Sequence, residues 1–134
     1  MSTILVDSNV LLDVFTEDPQ WYEWSSEQLE ALAERHTLAI NPIIYAEISI
    51  GFHKVETLES ALPQGYFARL PLPWEAAFLA GKAFMYYKKR GGHKQSTLPD
   101  FFIGAHAAVE RLTLLTRDLH RYKTYFPSVK LIVP

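Results

Sequence analysis

"ILVDSNVLLD" (residues 4–13) begins with three apolar residues, breaks at Asp7, Ser8 and Asn9, and resumes with a second apolar run. The first run reads as a short buried strand over residues 3–6. Asp, Ser and Asn favour turns and helix starts, so the break reads as the cap of a helix over residues 9–15. A strand followed at once by a helix is the opening unit of a parallel α/β sheet. The three polar residues then lie at the carboxyl end of a strand, where such sheets bind ligands.

The pattern repeats along the chain. An amphipathic helix over residues 21–36 carries Trp21, Trp24, Leu29 and Leu32 on its apolar side. "TLAI" (37–40) is a second strand. Asn41-Pro42 then starts a helix reaching about Phe52, with Asn as cap and Pro in the first turn. A short helix follows over residues 55–62, and residues 66–70 read as a third strand. A long helix begins near Pro73 and ends before Gly91. After the polar "HKQST" comes "LPDFFIGAHAAVERL", a helix whose Gly104, Ala105, Ala107 and Ala108 allow close packing. "TLLT" (113–116) and "SVKLIV" (128–133) supply the last two strands. The expected fold is a single three-layer α/β domain over residues 1–134, with a central parallel sheet of about five strands.

Composition agrees with that expectation. The chain has 134 residues, 49% of them hydrophobic and 21% charged, which suits one domain with one core. No cysteine is present, so disulfide and thiolate chemistry are excluded. No apolar run is long enough for a membrane span, and no leader pattern precedes the first strand, which points to the cytoplasm. A net charge of −2 excludes a broadly basic nucleic-acid binder. The charge is unevenly spread, however. Glutamates crowd residues 17–34, while Lys88, Lys89, Arg90, His93 and Lys94 form one basic stretch and Arg117, His120, Arg121 and Lys123 another. Such local clusters can hold phosphates. Arg90, Lys94 and Arg117 are the candidates.

Four acids stand out. Asp7 follows the first strand and Asp118 follows "TLLT". Glu47, in "IIYAEISI", has Ile43, Ile44, Ile50 and Gly51 as its helical neighbours. A carboxylate on so apolar a face needs a cation, a hydrogen-bond network or a pocket. Asp100 completes a capping-box pattern with Thr97 and could also face a site. Asp13 shares a helix face with Asn9, where it either supports the site or is solvated. Carboxylates gathered at one sheet end repel one another unless a cation intervenes. Oxygen ligands without cysteine or paired histidines favour Mg²⁺ or Mn²⁺. His106, in a run of small residues, reads as a packed or surface histidine.

"VDSNVLLD", "NPIIYAEI", "KRGGHKQSTLPDFFIGAHA" and "LLTRD", in that order and spread over nearly the whole chain, resemble the PIN-domain ribonucleases, and among them the VapC-type toxins of toxin–antitoxin modules. The resemblance implies a central parallel sheet with an acidic pocket at its carboxyl end. It implies metal-binding and catalytic roles for Asp7, Glu47, Asp100 and Asp118, with Asn9 and Thr116 as supporting polar positions. It further implies Mg²⁺- or Mn²⁺-dependent endonucleolytic cleavage of RNA, a homodimer, and a cognate antitoxin that blocks the site. Trp21, Tyr22 and Trp24 suit a surface for such a partner. Two other readings compete with this one. An aspartate-based phosphatase would use Asp7 as phosphoryl acceptor, but usually has a second aspartate where this chain has Asn9. A non-catalytic RNA- or antitoxin-binding module could share the fold.

Overall fold

A computed structural model describes residues 2–63, 65–91 and 96–134. Five strands form one sheet: β1 (Thr3–Val6), β2 (Thr37–Ile40), β3 (Phe67–Arg69), β4 (Thr113–Leu115) and β5 (Leu131–Ile132). Their order is β3-β2-β1-β4-β5 and every pairing is parallel. The helices are α1 (Ser8–Phe15), α2 (Tyr22–Ala33), α3 (Pro42–Ser49), α4 (Val55–Ala61), α5 (Trp74–Lys89), α6 (Leu98–Glu110) and α7 (Leu119–Tyr125).

The central strands are apolar and buried on both faces, as expected when helices cover a parallel sheet on either side. Ile4, Leu5, Val6, Leu38, Ala39, Ile40, Leu114 and Leu115 all lie in the core. The chain runs outward from β1 to β2 and β3, then crosses back to place β4 on the other side of β1. With right-handed crossovers, that reversal puts helices on both faces. It also makes the carboxyl ends of β1 and β4 the switch point, where sheets of this kind bind ligands.

Local signals in the sequence set the helix starts. Asn41 caps α3 by accepting a 2.9 Å hydrogen bond from the Ile44 N–H, with Pro42 in the first turn. Asp100 reaches back to the Thr97 N–H in the capping box of α6. Gly104 lies against the Phe126 ring, which a β-carbon at that position would overlap. The small-residue run of α6 therefore serves close packing. Several elements are shorter than their sequence patterns: α2 spans Tyr22–Ala33, α3 stops at Ser49, β3 spans Phe67–Arg69, β4 stops at Leu115, and β5 keeps only Leu131 and Ile132. Part of "HKQST", residues 93–95, lies outside the described residues.

His106 is fully buried. Asn41 Oδ1 is taken by the Ile44 N–H, so its amide nitrogen faces His106 Nδ1 at 2.9 Å. Nδ1 therefore accepts, and Nε2 donates to Glu110 at 3.2 Å. This histidine is a packed structural group, as its surroundings in the sequence suggest.

Candidate active site

Asp7 ends β1 and caps α1. Its Oδ1 accepts the Ser8 N–H at 2.7 Å. Its Oδ2 accepts the Thr116 hydroxyl at 2.7 Å and the Tyr122 hydroxyl at 3.0 Å, with the Asn9 amide at 3.4 Å. The carboxylate is only 4% exposed. Every hydrogen bond it accepts from the described residues comes from a neutral group. Burial therefore pushes its pKa up, and the bonds from Thr116, Tyr122 and Ser8 only partly oppose that rise.

Thr116, also fully buried, is the node between the two strand ends. While donating to Asp7, it accepts the Asp118 N–H at 3.0 Å. Asn9 Oδ1 accepts the Arg117 N–H at 3.3 Å, a second tie between α1 and the turn after β4. Glu47 arrives from α3. The Ser8 hydroxyl donates to it at 2.7 Å, linking it to the backbone beside Asp7. Partial burial raises the Glu47 pKa, the Ser8 bond lowers it, and the negative charges of Asp7 and Asp100 raise it further. Those three acids thus share one electrostatic neighbourhood.

Asp118 caps α7, its Oδ1 accepting the Arg121 N–H at 3.2 Å. The Arg121 side chain returns to the same carboxylate, Nη1 lying 2.8 Å from Oδ2. Asp7, Asn9, Thr116 and the Asp118 turn are therefore joined by hydrogen bonds at the β1–β4 switch point, Glu47 is tied to them through Ser8, and Asp100 is near enough for its charge to act on Glu47. Ser8, Arg121 and Tyr122 complete the arrangement and were not distinguished as site residues in the sequence. Tyr122 and Arg121 lie on α7, a two-turn helix whose pattern is short.

Other predicted positions behave differently. Asp13 is not solvated: it is buried and accepts from Arg117 Nε at 2.7 Å and Nη2 at 3.0 Å, and from the Ser25 hydroxyl at 2.6 Å. The Arg117 guanidinium also packs 5.0 Å from the centre of the Trp21 ring. Arg117, a phosphate candidate by sequence, is thus held inside the fold by Asp13 and Trp21. Arg90 is exposed, its guanidinium over the Tyr86 ring. Lys94 lies outside the described residues. Tyr22 is exposed, whereas Trp24 packs on the core.

The donor set suits a hard divalent cation, being carboxylate oxygens around a buried aspartate that lacks a directly bonded positive group. Among the described residues, however, no three acidic or histidine side chains stand close enough to form a finished metal cage. The acids are neighbours that have not closed on one another.

An acidic cleft at the switch point of a five-stranded parallel sheet defines a class of α/β domain, and comparison gives the class its name. The PIN domain model matches residues 4–127, and the chain belongs to that family. It is 28% identical over 125 residues to Ribonuclease VapC2 of Rickettsia felis, covering 89% of each chain. Its fold superposes on a chain of the Rickettsia felis VapBC2 complex bound to a promoter DNA fragment. The TM-score there is 0.76 at 23% identity, over 98% of both chains. FitAcB of Neisseria gonorrhoeae aligns with TM-score 0.69 at 26% identity, over 96% of both.

Proposed function

We propose that this chain is a divalent-metal-dependent endoribonuclease and the toxin of a toxin–antitoxin pair. One observation carries the reading: at the switch point of a PIN domain Asp7 is buried and bonded only by neutral donors, with Glu47 linked to it through Ser8 and the Asp118 turn through Thr116. Asp7, Glu47, Asp100 and Asp118 would hold Mg²⁺ or Mn²⁺, Asp7 and Asp100 being the principal ligands. A cation held there would supply an activated water and offset charge on the phosphorus oxygens.

The chain's own residues do the positioning. Thr116 and Tyr122 hold Asp7 Oδ2 in a fixed direction, and Ser8 joins Asp7 to Glu47. Asn9 and Thr116 keep the Asp118 turn against α1. The basic stretch containing Arg90 and Lys94 is assigned to flanking phosphates.

The relatives' assembly as toxin–antitoxin complexes supports a cognate antitoxin as partner. A homodimer and a cytoplasmic location complete the proposal. No helix among the described residues is long and apolar enough to cross a membrane.

The test is cleavage of RNA by purified protein with Mg²⁺ or Mn²⁺, compared with Asp7→Ala and Asp100→Ala. Metal-dependent cutting lost in both variants is the expected result. No cutting by the native chain, or undiminished cutting by the variants, overturns the proposal.

A further inference from the structure

Arg121 is a positive charge that reaches the acidic group itself. It projects from α7, and three quarters of its side chain is shielded from solvent. It grips Asp118 twice, through the backbone N–H to Oδ1 at 3.2 Å and through Nη1 to Oδ2 at 2.8 Å. Nη2 donates to Ser96 Oγ at 3.2 Å, just before the Asp100 helix. Nε is buried and has no partner among the described residues.

This guanidinium therefore bridges the two flanks of the cleft, α7 and the start of α6. Burial opposes its charge, but Asp118, Asp100 and Asp7 favour it, and it in turn favours ionisation of Glu47. All four acids feel the one cation. Both oxygens of Asp118 are meanwhile occupied by Arg121.

We propose that Arg121 is a built-in counter-ion of the acidic cleft, holding it together without metal and competing with the divalent cation for Asp118. Metal entry then requires the guanidinium to release Asp118. The inference rests on the metal-dependent reading above and adds a cost of entry set by this chain itself. Two like charges near one set of carboxylates repel in a partly desolvated cleft, so removing the guanidinium charge should favour the metal.

The experiment is calorimetric titration of Mn²⁺ into the full chain, with no RNA present. Arg121→Gln and Arg121→Met remove the charge, while Arg121→Lys keeps it. Both neutral variants should bind Mn²⁺ about tenfold or more tightly than the native chain, and Arg121→Lys should stay within about threefold of it. In chelator the neutral variants should melt at lower temperature than the native chain, with Mn²⁺ restoring more of their stability. Equal or weaker Mn²⁺ binding by the foldable neutral variant overturns this inference alone, as does an Arg121→Lys variant that binds as tightly as the neutral ones. Absence of Mn²⁺ binding in every form overturns it together with the metal-dependent reading.

Discussion

Helix α1 carries a buried aspartate near each end, and the two are treated in opposite ways. Asp13 is 2% exposed and neutralised by a two-pronged bond from Arg117, with Ser25 on a third side. Asp7 is 4% exposed and receives only hydroxyl, amide and backbone donors. The first arrangement is complete, with charge balanced and geometry closed. The second solvates a carboxylate without neutralising it, which leaves its charge available to a cation from outside. Burial alone does not tell these two aspartates apart; the charge of their partners does.

The largest effect should come from Asp7. Asparagine caps helices as well as aspartate, so Asp7→Asn should fold while metal-dependent RNA cleavage falls about a hundredfold or more. Cleavage rates on a defined RNA check this, and near-native rates would erase the distinction between the two aspartates. Next is Asp13→Ala, which strands Arg117 in the fold. It should cost about 3 kcal/mol, read by urea unfolding. A double-mutant cycle with Arg117→Ala should show strong coupling, and additive losses would mean that the pair contributes little.

Thr116→Val keeps shape but removes the donor to Asp7 and the acceptor for Asp118. We expect about 1–2 kcal/mol lost in unfolding and a roughly tenfold drop in cleavage. If only stability moves, Thr116 does not orient the acids.

The smallest effect concerns pH. Asp7 and Glu47 are raised above their ordinary values of 3.8 and 4.5. The folded chain thus holds more protons there than the unfolded one. Their contribution to stability is complete below those ordinary values and is lost as pH rises through the raised ones. Unfolding of metal-free protein across an acidic pH series should show this decline, and Asp7→Asn should flatten it.

What the sequence reveals follows from range. Short buried strands, the Asp7 and Asn41 caps and the Thr97–Asp100 box are written in neighbouring residues, and the structure contains each. Asp7 and Asp118 stood out because each follows a strand, and Glu47 because it breaks an apolar helix face; Asp100 fits a local cap, and the family resemblance supplied its place beside them. Asp13 did not stand out, because its partner lies 104 residues away and helical spacing cannot reveal a tertiary ion pair. Tyr122 and Arg121 escaped because α7 spans seven residues, too few for periodicity to show which face points inward.

Thr116 meets Asp7 across 109 residues of chain. A ribosome making this protein must therefore release everything from β1 through Thr116 before β4 can dock beside β1. Until that docking Asp7 and Glu47 can meet, but Thr116 and Asp118 are still strangers to them on a growing thread, and the site stays half-made.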